Sequence, residues 1–371
     1  MIRYLKKVWR DFLDSKISTK IAVAVFLLVY IFVICVSTIK VDVEVYTPGV
    51  VNNTNSSVDV KVENKKQDLI GTIGIYTYKP VSLIQYWIAN GNDKMVVKEY
   101  DPENDLNAKG EYQFGVISKK VGINYALINA YEAAYEYEVA LGKASDIHID
   151  KTYRGRIVSA ILPYAKTDLN CDDIITHING VEITEKSNVY AEEYLKAQKE
   201  SKSIVFTVIR TTDGKDVSKE VTAEFVEKDG SRVLGVSTYE YYVVDGEKSN
   251  PKFSITDQYN SIGSSGSAML TLAIFNDLIE NDITKGKFIV GTGSISVNGQ
   301  IEKIDGVEQK VLTANLYQAD IFFVDDQVYE GEKTDYELAL EACKKHGINS
   351  DFIIRVSSFS DIIAYLKGLE G

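Results

Sequence analysis

Residues 263–279 read GSSGSAMLTLAIFNDLI, and this stretch decides how the C-terminal half of the chain has to fold. From Ser265 to Ile279 the run predicts a helix that is apolar on nearly every side. Such a helix needs cover over most of its surface, which puts it at the centre of a domain. The segments around it alternate. GVSTYEYYVV (235–244) predicts a strand, FIVGTGSISVNG (288–299) a hairpin, residues 306–317 a helix and ADIFFV (319–324) a strand. TDYELALEACKKHG (334–347) predicts a helix, FIIRV (352–356) a strand and SFSDIIAYLKGL (358–369) a final helix. Residues 228–371 are therefore expected to form an α/β or α+β domain.

The rest of the chain divides by charge and pattern. The 371 residues are 45% hydrophobic and 25% charged, an ordinary globular composition with room for two or three domains. A net charge of −12 argues against a nucleic-acid partner. Residues 1–20 stand apart, with six cations (Arg3, Lys6, Lys7, Arg10, Lys16 and Lys20) against Asp11 and Asp14. That is a net +4, leaving −16 for the remaining residues. Residues 21–39, IAVAVFLLVYIFVICVSTI, carry no charge and nearly match the thickness of a bilayer core. The basic flank predicts a cytoplasmic N-terminus, a single-pass anchor in the cell membrane and an extracytoplasmic body. A cleaved signal peptide is the competing reading, but the apolar run is long and no A-x-A site follows Ser37. Cys35, Cys171 and Cys343 have no zinc or framework spacing and are expected to be free thiols. His148, His177 and His346 leave little room for His-centred chemistry.

Residues 40–148 begin β-like. VDVEVY (41–46) alternates, TPGVVNNTNSS (47–57) reads as a turn, VDVKV (58–62) alternates again and GTIGIYTY (71–78) is a third strand. Residues 81–93 predict a helix with Leu83, Tyr86 and Trp87 at helical spacing; DPENDLNAKG (101–110) is turn-rich. Residues 118–138 predict a long helix. In residues 149–227, GRIVSAIL, SIVFTVIR and VTAEFVEK predict strands and AEEYLKAQKE (191–200) a helix. The phrase from Asp172 to Ile183, DDIITHINGVEI, resembles a PDZ domain, where a strand ends in an Asn-Gly turn, here Asn179-Gly180. The resemblance implies a module that binds extended peptides by strand addition. It departs from that pattern where Asp172 stands for Gly.

For chemistry, GxxxxGK(S/T), HExxH, an EF-hand loop, a nucleotide GxGxxG and GxSxG are all missing, and no motif calls for a metal or cofactor. Two features remain. Gly263-Ser264-Ser265-Gly266-Ser267 alone is linker-like, but it abuts an apolar helix whose start offers free N–H groups and the positive dipole end an oxyanion needs. Lys310 lies at the edge of the face made by Val307, Val311 and Ala314. It either snorkels to solvent or, if desolvated, falls from about 10.4 toward neutrality and serves as a base.

These residues resemble the proteolytic domain of the Lon protease family. There a Ser in a Gly-Pro-Ser-Ala-Gly string pairs with the Lys of a Gly-Gly-x-x-x-Lys helix. The matching positions here are 263–267 and Asp305 to Lys310, with Gly291-Thr292-Gly293-Ser294-Ile295 and Asn298-Gly299 at the family's Thr-Gly hairpin. The resemblance implies Ser265 as nucleophile, Lys310 as base and Thr292 as a supporting hydrogen bond, with Gly263 and Gly266 shaping the turn. The whole layout is similar to membrane-anchored PDZ–Lon proteins of Gram-positive bacteria, which lack an ATPase. That implies an α+β Lon-type domain with an inserted PDZ-like domain, residues 40–148 joining 228–371 around 149–227, with Tyr46, Pro48 and Gly49 in the strand after the membrane. It also implies an ATP-independent serine endopeptidase acting on unstructured secreted or membrane-associated peptides, and a ring of six subunits. The departures are Ser264, Gly266, Ser267 and Asp305. Gly266 is expected to loosen the turn, and Asp305 to hold Lys310 protonated. The same departures fit a second reading, an inactive membrane-anchored PDZ adaptor on a Lon-like scaffold. A purely structural envelope protein, argued from the acidic surface alone, is a third.

Overall fold

The run 263–279 folds into helix Ser267–Leu278, buried along its length except at Asp277. The computed structural model describes residues 1–54, 57–63, 65–67, 69–256, 262–329 and 331–369. The helix begins two residues later than its apolar run suggests, with Gly266 as N-cap, so Ser265 lies in the turn before it. Its cover comes from the long helix Ala108–Ala140, the helix Phe359–Gly368 and one face of a sheet. In that sheet strand Ile289–Gly291 pairs in parallel with Ile70–Tyr78 on one side and Ile321–Asp325 on the other, and Ile353–Val356 extends it in parallel. Ile289 and Phe323 face the first layer of helices, while Val290, Phe322 and Val324 face a second core. Helices Val307–Leu316 and Asp335–His346 close that second face. A parallel sheet covered on both faces explains why ADIFFV reads as a continuous apolar run rather than an alternating one.

Three expectations change. The hairpin expected at 288–299 is smaller: Ile289–Gly291 belongs to the parallel sheet, and the antiparallel pair is Ser294–Ile295 with Ile301–Glu302. The turn expected at 47–57 is strand over most of its length, because strand Val43–Asn53 runs straight through Pro48-Gly49; Asn55 and Ser56 lie outside the described residues. Gly49 serves close approach there, not a turn. A Cβ at that position would sit 2.0 Å from the Gly74 carbonyl oxygen. The helix expected over 118–138 spans Ala108–Ala140, starting inside the segment read as turn-rich, where the Asn107 side chain caps it by accepting from Gly110 N–H.

Residues 148–250 build a second, antiparallel sheet. Two long strands, His148–Ile161 and Val236–Asn250, pair in register from Val236–Ile161 to Asn250–His148 with three shifts. The strand order runs Val236–Asn250, His148–Ile161, Ile174–Ile178, Ser203–Thr212, Lys215–Glu224 and Lys166–Thr167, so Val236–Asn250 is an edge. Helix Val189–Glu200 packs on it around a core of its own that includes Val158, Ile175, Ile178, Phe206 and Ala197. Asn179 and Gly180 both have positive φ, 50° and 79°, and join two antiparallel strands. This is the backbone an Asn-Gly hairpin turn requires. Asp172 takes a φ of 75°, which a short polar side chain tolerates where the PDZ pattern has Gly. Arg210 holds the buried Asp173 with both carboxylate oxygens, at 2.7 and 2.6 Å.

Residues Met1–Val45 with Thr77–Asp101 form a separate compact unit. It contains helices Ile2–Leu13 and Ile17–Thr38, the pair Lys40–Val41 with Val81–Ser82, and helix Leu83–Asn90. A small core of Val45, Val81 and Ala89 holds it, and the Ser82–Gln85 capping box starts the last helix. Helix Ile17–Thr38 is long and apolar enough to cross a membrane and is exposed along almost its whole length. It begins one turn earlier than the charge-free run.

Gly49→Ala is expected to cost about 2–3 kcal/mol through overpacking, read as a lower urea midpoint of the full chain in detergent. Gly368→Ala, where an added Cβ meets nothing within 4 Å, is expected to leave the midpoint unchanged.

Candidate active site

The turn 263–266 is held in place by glycines on two neighbours. Gly263 has a φ of +91° and donates its N–H to the Gly115 carbonyl at 2.8 Å. Gly115 and Gly122 lie on the same side of the long helix, where a Cβ would press on Ile262 at 2.7 Å and on Ser264 at 3.1 Å. The turn therefore rests directly on helix backbone. The signal in the sequence is Gly115, Ser118 and Gly122 at helical spacing along one side of the helix. Gly266 is not loose. A Cβ there would lie 2.7 Å from Thr72 Cγ2, so Thr72 fills the space that an Ala at this position would need.

The Thr-Gly segment lies alongside. Gly293 N–H donates to the Ser265 carbonyl at 2.8 Å, and Ala268 N–H donates to the Gly293 carbonyl at 3.3 Å. Ile295 N–H donates to Ser267 Oγ at 2.8 Å, and the Ser264 and Ser294 hydroxyls are 2.7 Å apart. Of the three serines, Ser264 and Ser267 thus have partners. The Ser265 hydroxyl, half-buried, has none among the described residues. Nor is any hydrogen bond formed there by the N–H groups of Ser265 or Gly266.

Lys310 sits on helix Val307–Leu316, which Gly306 launches from the left-handed region at a φ of 75°. That glycine is required twice over, because a Cβ would also meet Ile75 Cδ1 at 2.3 Å. The side chain does not snorkel: Lys310 is 2% exposed. Its Nζ donates to Thr292 Oγ1 at 2.8 Å, and Thr292 in turn donates to the Ser265 carbonyl at 3.4 Å. Thr292 Oγ1 is thus the atom through which the lysine and the Ser265 backbone are linked. Burial lowers the Lys310 pKa from its ordinary 10.5 to about 7. Asp335 and Asp305 oppose the shift by their charge, and burial outweighs both. Asp305 was expected to keep the lysine protonated; it acts in that direction but does not decide the outcome.

Two buried carboxyls lie near this helix, Asp335 within a segment read from sequence only as a helix and Asp325 just past the strand ADIFFV. Asp335 is fully buried, accepts from Ile304 N–H at 2.9 Å through Oδ2 and leaves Oδ1 without a partner among the described residues. Asp325 is fully buried at the end of strand Ile321–Asp325. Burial pushes each up to about 6. An Asp closing the apolar run ADIFFV was the available signal.

Two hollows flank the serine turn. One of about 170 Å³ is lined by Ser265, Gly266, Thr72, Lys119, Ile123 and Leu270, among others. The other, about 460 Å³, lies beyond Ser264 and is bordered by Tyr125, Arg156, Glu240, Ser294 and Glu302. The arrangement offers a hydroxyl at the amino end of a helix, free N–H groups beside it, and a desolvated amine. That is equipment for acyl transfer. Among the described residues no group of carboxylates, cysteines and histidines could hold a metal ion.

No protein-family model matches the chain, and no curated protein matches it.

In the unfolded chain the Lys310 amine titrates near 10.5 and in the fold near 7, so between those values the unfolded state binds the extra proton. Stability from this group is therefore lost as pH falls and recovered as pH rises from about 7 toward 10.5. Lys310→Met is expected to raise stability at pH 7 and to remove about 2 kcal/mol of the gain otherwise seen between pH 7 and 9, measured by urea unfolding at both pH values.

Proposed function

We propose that this protein is a membrane-anchored serine endopeptidase of Lon type that works with a Ser265–Lys310 dyad. The observation that carries the reading is the amine of Lys310, 2% exposed and held by the Thr292 hydroxyl, with Thr292 also contacting the backbone of Ser265. A solvated lysine is a poor base at neutral pH; one near 7 is half in the form that accepts a proton. Thr292 accepts one N–H of the amine, which leaves the nitrogen lone pair free to turn elsewhere. Ser265 Oγ attacks the scissile carbonyl and passes its proton to Lys310 Nζ. The N–H groups of Ser265 and Gly266, at the positive end of helix Ser267–Leu278, steady the oxyanion. Lys310 then returns the proton to the departing amine, and water released onto the acyl-enzyme repeats the sequence. Asp335, through Ile304, holds the entry to the Lys310 helix and thereby the position of the amine.

The antiparallel sheet with its own core is read as the PDZ-like part, to which the proposal assigns the recognition of extended peptides. Helix Ile17–Thr38 is read as a retained anchor, with the basic residues before it on the cytoplasmic side and the catalytic body outside. Unstructured peptides of secreted or membrane-associated proteins are the substrates this layout suits, and the homo-oligomeric ring belongs to the same proposal. One observation favours a second reading: no hydrogen bond joins the Ser265 hydroxyl to Lys310 among the described residues, as an inactive peptide-binding adaptor would allow.

Cleavage of unfolded reporter peptides by the purified full chain separates the two. Ser265→Ala and Lys310→Ala are each expected to lose at least ~10³-fold in rate, and Thr292→Val about 10-fold or more. The wild-type kcat/KM is expected to rise with pH through about 7, as Lys310 loses its proton. Wild-type turnover persisting in both alanine variants would remove the dyad. Peptide binding without cleavage by wild type would favour the adaptor.

A further inference from the structure

The helix Ile2–Leu13 has no part in the function above, yet its two sides are sharply different. Tyr4, Leu5, Val8, Trp9, Phe12 and Leu13 fall on one side at helical spacing, and Lys6, Lys7, Arg10 and Asp11 on the other. The apolar side is uncovered. Tyr4 is 71% exposed, Trp9 63% and Leu5 59%. Trp9 and Phe12 lie together on it, ring centres 5.9 Å apart. A soluble chain gains nothing by holding such a stripe in water.

We propose that this helix is an interfacial foot, lying in the plane of the inner leaflet and selecting anionic phospholipid. The inference rests on the membrane-anchor reading of helix Ile17–Thr38. The 12 residues of Ile2–Leu13 rise only about 18 Å, too short to cross, and the charged side forbids crossing. Lys16 is extended, with φ −58° and ψ 150°, so the chain breaks between the two helices. Lys20 Nζ donates to the Leu13 carbonyl at 2.5 Å, which ties the last turn of the short helix to the start of the span. Only Asp14, Ser15 and Lys16 separate the two helices, which keeps the stripe at the height of the headgroups. There Tyr4 and Trp9 suit the boundary between acyl chains and polar groups, and the cations meet lipid phosphate. Residues 1–20 carry a net +4 in a chain whose other residues carry −16. A zwitterionic surface would satisfy the apolar side only; an anionic one satisfies both sides.

Trp9 is one of two tryptophans, so in a Trp87→Phe background it reports alone. The full chain is reconstituted into phosphatidylcholine vesicles with and without 30% phosphatidylglycerol, each also prepared with brominated acyl chains. Bromine quenching of Trp9 is expected to be at least twofold greater with phosphatidylglycerol, with a blue-shifted emission that high salt partly reverses. Combining Lys6→Gln, Lys7→Gln and Arg10→Gln is expected to abolish that difference while leaving peptide cleavage unchanged. Unquenched Trp9 in both lipids, equal quenching in both, or Trp9 shielded by cross-linking to a second copy would each overturn the proposal. The mass of the chain recovered from native membranes tests the reading beneath it. Loss of the N-terminal residues through the span would mean a cleaved leader and would end both ideas, whereas an intact chain with unquenched Trp9 ends only this one.

Discussion

The amine of Lys310 is a cost that the rest of the site is arranged to carry. A lysine 2% exposed gives up most of its hydration, and its one side-chain hydrogen bond among the described residues, to Thr292 at 2.8 Å, replaces only part of it. The outcome is a pKa near 7 rather than an ion pair, although Asp335 and Asp305 both pull the other way. Had either carboxylate reached the amine directly, the lysine would have stayed charged and the site would be a structural salt bridge. The orientation of Asp335 matters for this reason. Its hydrogen bond goes to Ile304 N–H, and its own burial raises it to about 6.

The site also depends on places where side chains are missing. Gly115 and Gly122 let the serine turn lie on the long helix; Gly266 lets Thr72 close over it; Gly306 starts the lysine helix against Ile75. Each contact brings backbone from a different part of the chain within reach of the next. The parallel sheet provides the frame, because Gly291 ends the strand whose next residue is Thr292. Thr292 therefore emerges from the sheet between the Ser265 turn and the helix that carries Lys310. Thr292 N–H donates to the Phe323 carbonyl at 3.0 Å, which fixes where it emerges.

Charge organises the N-terminal part of the sequence. The acidic bulk and the basic first 20 residues flank, in sequence, one helix long and apolar enough to cross a membrane. The antiparallel sheet ends at Val236–Asn250, where Tyr125 and Asn124 of the long helix donate to the Glu240 and Tyr242 carbonyls at 2.6 and 2.7 Å.

Much of this was legible in one dimension. The buried helix after residue 266, the Asn-Gly turn at 179–180, the membrane-length run and the alternation of strand and helix beyond residue 319 all follow from local patterns of apolar, charged and turn residues. Local pattern misread Pro48-Gly49 as a turn, since a glycine required by a neighbouring strand looks the same as one required by φ. It also left Lys310 undecided between solvent and core. Whether a lysine is charged depends on what surrounds its last atom, and those surroundings come from residues 18 to 25 positions away, at Thr292 and Asp335. Only the packed sheet and its two helix layers bring them together. Sequence determined the parts and their chemistry; tertiary structure decided the protonation of the amine, because desolvation is a property of the assembled interior.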